Sequence, residues 1–265
     1  MVAKYSTIRY EVMDGIATLT FQRPERRNAL SLTMRREIGD AVSRAARDDS
    51  VRVLILTGSG GHFCAGGDIE SLSERTPGAD AGRQRMRDMW DWVQALIHFD
   101  KPVIAAVDGG AVGAGFSIAL AADFVFATPE AYFCQSFAKI GLVPDLGGLY
   151  LLPRIVGLQR AKELVFSARV IGAQEAQELG IAYKVVGGDE LQFAARSLAL
   201  TLTQSSAAAI GLAKGILNNS FQSDLRNVLE LEASANGICL ETDYHKDAIA
   251  RFLNKQPYAF AGFKP

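Results

Sequence analysis

The fold of this chain is constrained most by two apolar segments, each of which runs directly into a cluster of glycines. The segment VRVLILTG (51–58) leads into glycines spread over 58–67, and PVIAAV (102–107) leads into glycines at 109–115. Short runs rich in Val, Ile and Leu predict buried strands, and glycine lets the main chain turn tightly and approach another group closely. The two segments therefore predict sites built from backbone amides rather than a flexible linker.

Local signals before the first of these segments predict a hairpin and a helix. Asp14-Gly15 separates two short strand-like runs, which is typical of a β-hairpin with a two-residue turn. Ser31 is placed to cap a helix, because apolar residues recur at helical spacing after it. These apolar residues are Leu32, Met34, Ile38, Ala41, Val42 and Ala45.

The rest of the chain divides into an alternating part and a helical part. Residues 71–80 are polar and predict a loop, and residues 82–98 predict one helix. Helical periodicity dominates from about residue 155 onwards. We therefore predict an α/β body over residues 1–195, followed by a C-terminal helical region over residues 196–265.

Composition and charge exclude several classes of function. The 265 residues are 49% hydrophobic and 22% charged, with a formal net charge of -1. This balance provides no basic surface for nucleic acid or for an anionic membrane. The longest weakly polar run, 109–122, is too short to span a bilayer, and the N-terminus lacks a secretory signal. We expect a soluble, cytoplasmic protein with neither a nucleic-acid nor a membrane partner.

The cysteines and histidines show no pattern typical of a metal site. Neither set has the paired spacing that zinc sites use, and no CxxC pair is present. We therefore expect no metal and predict free thiols in a reducing compartment. The residues concerned are Cys64, Cys134, Cys239, His62, His98 and His245.

The glycine clusters do not fit the common nucleotide-binding motifs. Gly58-Ser-Gly60 is followed by Phe63 where a dinucleotide fingerprint needs its third glycine. Gly113-Ala-Gly115 fails in the same way, and neither cluster contains the lysine of a P-loop.

A serine hydrolase is a distant alternative. Gly115-Phe-Ser117 is close to a nucleophile-elbow sequence, and Asp145 and His245 follow in the order of a hydrolase triad. An elbow serine must lie on the sharp turn directly after its strand. The strand ends near Val107, which places Ser117 inside the following helix instead.

Two backbone-amide sites remain after these exclusions. HFCAGGDIES (62–71) follows a strand with a glycine turn, and GGAVGAGFSIA (109–119) places small residues at the start of a helix. Two N–H groups directed at one oxygen would form an oxyanion hole. Two ordinary tight turns would have the same local sequences, so these segments alone leave both interpretations open.

Several co-linear motifs over almost the whole chain resemble the enoyl-CoA hydratase/isomerase, or crotonase, superfamily. They are closest to the enoyl-CoA isomerases of the phenylacetate-degradation type. The resemblance implies an α/β fold, the crotonase (ClpP-like) spiral of ββα units, with a C-terminal helical region that builds trimers, often paired into hexamers. The motifs are RRNALS (26–31), FCAGGDI (63–69), AAVDGGAVGAGFSIALAADFVFAT (105–128) and KIGLVPDLGGLYLLPRIVGLQRAKEL (139–164).

The resemblance also implies how an acyl-CoA would bind. The thioester carbonyl would lie between the backbone N–H groups of Gly67 and Ala114, where the family usually has glycine at the second position. Lys264 would reach the CoA phosphates. CoA would arrive as part of the substrate, with no separate cofactor. The implied CoA contacts are Ala29, Ala65, Asp68 and Ile69.

The acidic positions distinguish among the activities of this superfamily. Its hydratases use two glutamates, and the matching positions here hold Ser117 and Phe137. A third position, on the Pro-Asp-Leu-Gly-Gly turn, holds Asp145. One carboxylate suffices to move a proton from C2 to C4, so the resemblance implies an isomerase that shifts a 3-enoyl double bond to the 2-position. An apolar wall of Phe137, Leu142 and Leu146 would raise the pKa of this aspartate.

Other interpretations of the same residues remain open. Asp145 could serve only as a turn or helix-cap residue, because it precedes Leu-Gly-Gly and a helix-like segment. It could act as a nucleophile, as in aryl-CoA dehalogenases, although those enzymes place tryptophan where Phe137 stands. The chain could also be a ring-epoxide isomerase of the 1,2-epoxyphenylacetyl-CoA type or a weak hydratase. From another class, it could be a non-catalytic protein that binds CoA esters.

Overall fold

The computed structural model describes residues 5–73 and 78–263, excluding the side chains of residues 72 and 73. The strands of this part are β1 (Ile8–Met13), β2 (Ile16–Phe21), β3 (Val53–Gly58), β4 (Val103–Val107), β5 (Gly110–Val112), β6 (Phe124–Ala127), β7 (Tyr132–Cys134), β8 (Ile171–Gly172) and β9 (Lys184–Val185). Its helices are α1 (Leu32–Arg47), α2 (Ile69–Ser73), α3 (Ala79–Arg87), α4 (Trp90–Ile97), α5 (Ala114–Leu120), α6 (Gly148–Val156), α7 (Leu158–Ser167), α8 (Ala173–Glu178), α9 (Leu191–Thr203), α10 (Ala207–Asn219), α11 (Leu225–Leu240) and α12 (Asp243–Leu253).

The strands form two sheets, and strands of the two sheets alternate along the middle of the chain. The larger sheet has the order β1-β2-β3-β4-β6-β9, with β1 antiparallel to β2 and every other neighbouring pair parallel. The smaller sheet has the order β5-β7-β8, and β5 pairs with β7 in parallel. Because β4 and β6 enter the large sheet while β5 and β7 enter the small one, each turn of chain crosses from one sheet to the other.

The predicted hairpin and helix cap are both present. Asp14 and Gly15 have φ values of 54° and 77°, the positive values that a two-residue turn of this hand needs. The Ser31 hydroxyl accepts a hydrogen bond from the Met34 amide at 3.2 Å and so caps α1. Of the apolar residues predicted for this helix, all are buried except Leu32, which is 46% exposed.

The segment predicted as one helix over 82–98 forms two helices. α3 ends at Arg87 and α4 begins at Trp90, with Met89 buried between them. The polar segment predicted as a loop over 71–80 contains the end of α2 and the start of α3, and residues 74–77 lie outside the described part.

The large sheet is covered on both faces. One face packs on the main core, which includes α1, α4 and α5. The other face contributes Ile55 and Ile104 to a second cluster with Leu198 and Leu202 of α9. The boundary predicted after residue 195 therefore lies within α9, and residues on both sides of it belong to this cluster.

The three helices after α9 contain no buried residues. α10 is attached to the body by polar contacts, in which Lys214 pairs with Asp123 at 2.7 Å and Asn218 donates to the Ile97 carbonyl at 2.9 Å. α11 exposes large apolar side chains, including those of Leu225, Leu229 and Ile238. Across the described ranges, no helix combines the length and apolar character needed to cross a membrane.

Candidate active site

The two glycine-rich segments lie side by side at the ends of β3 and β5. The Cys64 amide donates to the Gly110 carbonyl at 2.9 Å, and the Val112 amide donates to the Cys64 carbonyl at 2.9 Å. Through these bonds Cys64 forms a parallel bridge with Ala111 of β5. The loop after β3 is thereby fixed against the start of α5.

Glycine is required where these segments touch. Gly66 has a φ of 95°, and a Cβ atom on it would lie 2.7 Å from the Val112 carbonyl oxygen and 3.5 Å from the Ala114 nitrogen. A Cβ atom on Gly115 would overlap with the Cys64 carbonyl oxygen. Larger residues at these two positions would separate the loop from α5.

Two backbone amides remain unused where the loop meets the helix. The Leu30 amide donates to the Gly66 carbonyl at 2.8 Å and the Asp68 amide to the Leu30 carbonyl at 3.3 Å, so the Gly67 amide faces away from this pairing. Ala114 is the first residue of α5, where an amide has no partner within the helix. Among the described residues, neither N–H donates a hydrogen bond to a protein acceptor. Both N–H groups therefore lack an acceptor in the part of the chain that the structure describes.

Asp145 lies on a tight turn immediately before α6. The Gly148 amide donates to the Asp145 carbonyl at 2.9 Å, and the two residues between them, Leu146 and Gly147, have φ values of 50° and 80°. Leucine is strained in this left-handed region, but its side chain is only 7% exposed and packs in the main core. The buried side chain thus fixes the turn that carries the acid.

The environment of the Asp145 carboxylate is poor in hydrogen-bond donors. Its Oδ1 atom is buried and has no hydrogen-bond partner in the described part of the chain. Burial raises the pKa of Asp145 to about 6, and the positive charge of Arg35 opposes that rise. A carboxyl group with such a pKa can both accept and return a proton near neutral pH.

The two positions that the resemblance matches to hydratase glutamates carry no acid here and are buried. Ser117 is fully buried in α5, and Phe137 is 8% exposed beside Gly113. The Gln135 amide lies 3.5 Å from the Ser117 hydroxyl and is also buried. Because Ser117 lies inside the helix rather than on a turn, the nucleophile elbow of a serine hydrolase is not formed.

The residues expected to line CoA surround the loop after β3. The Ala65 amide donates to the Arg27 carbonyl at 3.0 Å, which joins this loop to the segment containing Ala29. Ile69 is 73% exposed at the start of α2. Lys264, expected at the CoA phosphates, lies outside the described residues.

Asp68 is already engaged within the protein. Its carboxylate accepts a hydrogen bond from Arg23 at 2.9 Å and another from the Glu70 amide at 3.2 Å. Burial by itself would raise the pKa of Asp68, but these interactions with Arg23 and with backbone amides outweigh it and lower the pKa. The side chain therefore stabilises the loop between Gly67 and α2.

The residues expected to form an apolar wall near Asp145 differ in exposure. Phe137 and Leu146 are buried, whereas Leu142 is 49% exposed. Leu142 is joined to the Phe137 turn through a hydrogen bond from its amide to the Phe137 carbonyl at 3.0 Å. Phe137 and Leu146 are thus shielded from solvent, whereas Leu142 is not.

Sequence reasoning missed Arg35. This residue lies on the inner face of α1 and is only 6% exposed. Its guanidinium donates to the Met89 sulfur at 3.3 Å, and its charge acts on Asp145 and Asp68. The sequence signal that could have revealed it is an arginine directly after Met34, within the helix predicted after Ser31.

A separate cavity of about 580 Å³ lies between the body and α10. Its lining includes Tyr150, Arg154, Leu217 and Phe221 but none of the residues predicted for the acyl-CoA site. It is therefore distinct from the region around Asp145.

Comparison with known proteins identifies the family. The profile of the family described as "Enoyl-CoA hydratase/isomerase" matches residues 11–263, so the chain belongs to this family. It is 35% identical over 253 residues to the 1,2-epoxyphenylacetyl-CoA isomerase of Escherichia coli, covering 95% of this chain and 97% of that protein. It is 36% identical over 263 residues to the crotonyl-CoA hydratase of Syntrophomonas wolfei, covering 97% of this chain and 98% of that protein.

Solved structures confirm the predicted fold. The crystal structure of an enoyl-CoA hydratase/isomerase from Cupriavidus metallidurans matches with a TM-score of 0.94 at 38% identity, covering 99% of this chain and 98% of that one. The crotonase fold and the superfamily resemblance are therefore confirmed, and the chain is an acyl-CoA enzyme of this superfamily. The relatives carry the names of both hydratases and isomerases, so the reaction must be argued from the site.

Proposed function

We propose that this enzyme moves the double bond of a 3-enoyl-CoA to the 2-position, with Asp145 as its single acid-base group. The observation that carries the proposal is the isolation of this carboxylate. Among the described residues its Oδ1 atom has no hydrogen-bond partner, and burial raises its pKa to about 6. The two positions that the resemblance matches to hydratase acids hold Ser117 and Phe137.

The proposed reaction begins with proton removal at C2. The thioester oxygen binds between the amides of Gly67 and Ala114, which stabilise the negative charge that develops there. The Asp145 carboxylate takes the C2 proton, and the C2–H electron pair forms the enolate. The protonated aspartate then returns that proton to C4. The enolate electrons form the C2=C3 bond while those of the C3=C4 bond form the new C4–H bond.

Water addition is disfavoured by the same arrangement. A hydratase must hold and activate a water molecule opposite the C2=C3 bond, which requires at least one further acid-base group near the substrate. Phe137 offers no proton acceptor, and Ser117 is fully buried within α5. The proposed proton shift consumes no water and needs no redox cofactor, because the substrate and the product are isomers. The proposal includes no metal, since Asp145 and the two amides are the only groups it uses.

The remaining predicted contacts form part of this proposal. Ala29, Ala65 and Ile69 would contact CoA from the loop after β3, and Lys264 would meet its phosphates. Asp68 would hold that loop through Arg23. Phe137, Leu142 and Leu146 would contact the acyl group, and Leu142 is the half-exposed member of the three.

A paired assay of the wild type and Asp145→Asn tests the proposal. Formation of conjugated 2-enoyl-CoA from a 3-enoyl-CoA is followed by absorbance, and hydration of a 2-enoyl-CoA is followed separately. We expect isomerisation by the wild type, a loss of at least about 10³-fold in kcat for the variant, and little hydration by either. Strong hydration, or isomerisation that survives the substitution, would contradict the proposal.

The similarity to the Escherichia coli 1,2-epoxyphenylacetyl-CoA isomerase supports a second candidate reaction. A ring-derived epoxide ester could use the same two amides, with Asp145 assisting the rearrangement. Turnover of 1,2-epoxyphenylacetyl-CoA in preference to aliphatic 3-enoyl-CoA would favour this candidate. Tight binding of CoA esters without any turnover would instead indicate a non-catalytic binding protein.

A further inference from the structure

The cavity between the body and α10 has largely apolar walls. Its volume of about 580 Å³ lies within the range of about 300–1,000 Å³ that small-molecule sites occupy. One face of α6 lines one side of it, and the end of α10 lines another. The aliphatic and aromatic side chains in its lining include Ile97, Leu151, Ile155, Leu217 and Phe221. The cavity therefore offers apolar surface to the hydrocarbon part of a ligand.

Arg154 places a positive charge in this lining without a counter-ion. Its Cζ atom lies 3.4 Å from the centroid of the Tyr150 ring and 5.7 Å from that of Phe221. Its Nη1 atom donates to the Tyr150 carbonyl at 2.8 Å, and its Nη2 atom donates to the Gln222 side-chain oxygen at 2.7 Å. Within the described ranges its Nε atom has no hydrogen-bond partner, and no carboxylate pairs with the guanidinium. A guanidinium has five N–H groups, of which these neutral contacts use two.

The other polar groups of the lining are engaged with the protein. Asp123, the one acid among the residues that line the cavity, pairs with Lys214 at 2.7 Å. The side-chain oxygen of Gln177 accepts a hydrogen bond from the Val185 amide at 3.2 Å. The charge that remains without an opposite partner is therefore that of Arg154, and an anionic ligand complements it.

The cavity and the candidate active site are separated by Ile97. This side chain lines the cavity, and it also packs on Gly147, where a Cβ atom would lie 3.1 Å from the Ile97 Cδ1 atom. None of Gly67, Ala114 and Asp145 lines the cavity. A ligand bound there would leave the two proposed oxyanion amides and the proposed base unoccupied.

We propose that this cavity is a second binding site, which takes a small amphiphile with a carboxylate head and an aliphatic tail. The carboxylate pairs with Arg154, because a planar guanidinium with unused N–H groups matches the geometry of a carboxylate. The tail lies along the apolar side chains of α6 and α10, which removes both surfaces from water. This site uses none of the residues of the proposed reaction and involves no chemical step.

The experiment is a calorimetric titration of the full-length protein with octanoate and with octanamide. The two ligands have the same tail, but octanamide carries no charge. We expect octanoate to bind at least about tenfold more tightly, because a hydrogen bond to a charged group is stronger than one between neutral groups. From hexanoate to decanoate the affinity should rise about fourfold for each added methylene that becomes buried.

Two variants test the two halves of the site separately. In Arg154→Met the preference for octanoate over octanamide should disappear, whereas Arg154→Lys should retain most of it. Leu217→Trp narrows the cavity from a side chain that is 68% exposed, so it should weaken both ligands by at least about tenfold without unfolding the protein. Arg36→Met is the matched control, because Arg36 is exposed and lies outside the lining. It should leave both affinities unchanged.

The outcomes separate this inference from the proposed function. Absence of octanoate binding, or equal affinity for octanoate and octanamide, overturns the inference whatever the enzyme catalyses. Displacement of octanoate by decanoyl-CoA would show that the cavity belongs to the acyl-CoA site and would also overturn it. Selective octanoate binding that is retained in Asp145→Asn and lost in Leu217→Trp supports it, even if the protein has no isomerase activity. If Arg154→Met does not fold, the comparison of the two ligands and Leu217→Trp decide.

Discussion

Ser117 and Gly148 are packed so closely that a Cβ atom on residue 148 would lie 2.5 Å from the Ser117 hydroxyl oxygen. Gly148 is the first residue of α6, and Ser117 is in the middle of α5, so these two helices approach closely beside the Asp145 turn. The Gln135 amide nitrogen would lie 3.1 Å from the same Cβ position. Ser117 is therefore packed closely against the first residue of α6.

We expect Ser117→Glu to destabilise the protein without creating a hydratase. Its carboxylate would be forced against Gly148 and Gln135 in a fully buried position, which costs about 3 kcal/mol or more in the free energy of unfolding. Ser117→Ala is the control and should cost about 1 kcal/mol or less, because the two contacts of this hydroxyl are both long, at 3.5 Å. Denaturant unfolding measures both values, and a stable Ser117→Glu protein that hydrates 2-enoyl-CoA would contradict the prediction.

We expect Ala114→Pro to reduce kcat by about 10²–10³-fold, because it removes one of the two amides proposed to bind the thioester oxygen. Proline is tolerated at the first position of a helix, so the fold should survive if the neighbouring Gly113 accommodates the ring. Ala114→Gly retains the N–H and is the matched control, with activity close to that of the wild type. The measurement is isomerase turnover, with circular dichroism to verify folding. Full activity in the proline variant would rule out a role for the Ala114 amide in binding the thioester oxygen.

We expect Asp145→Asn to be more stable than the wild type at neutral pH but not at acidic pH. The pKa of Asp145 in the folded protein, about 6, lies above the ordinary value of 3.8, so the native state binds the extra proton. This group therefore stabilises the fold below about pH 4, and the contribution is lost as the pH rises through 6. The difference in the free energy of unfolding should reach about 3 kcal/mol above pH 7. Thermal unfolding of both proteins across this pH range measures it. A constant difference would show that the carboxyl group titrates normally.

We expect the chain to form a homotrimer or a dimer of trimers through its C-terminal helices. α11 has no buried residues, yet Leu225, Leu229 and Ile238 are more than half exposed at 73%, 54% and 56%. Large apolar side chains on one helix are stable in water when another surface covers them. Light scattering should give a mass three or six times the 28.6 kDa of the chain. Leu229→Glu should lower that mass, whereas Glu230→Gln on the same helix should not; a monomeric wild type would refute the prediction.

Local sequence was sufficient to predict the elements whose conformation depends on residues close by in the chain. The Asp14-Gly15 turn and the Ser31 cap follow from residues a few positions apart, so both could be predicted. The boundary between the α/β body and the helical region, predicted after residue 195, has no such local signal. α9 continues through it because Leu198 and Leu202 pack on strands far away in the chain, and that packing has no local signal.

The sequence by itself determined which chemistry could be present at the site. It placed glycines where two loops could approach, one aspartate on a tight turn, and neither hydratase glutamate at positions 117 and 137. Only the tertiary structure decided how basic that aspartate is and what lies near it. The burial of Asp145 and the close approach of Ser117 to Gly148 both depend on residues that are distant in the chain. Charge interactions and desolvation depend on separation in space, which the order of residues alone does not specify.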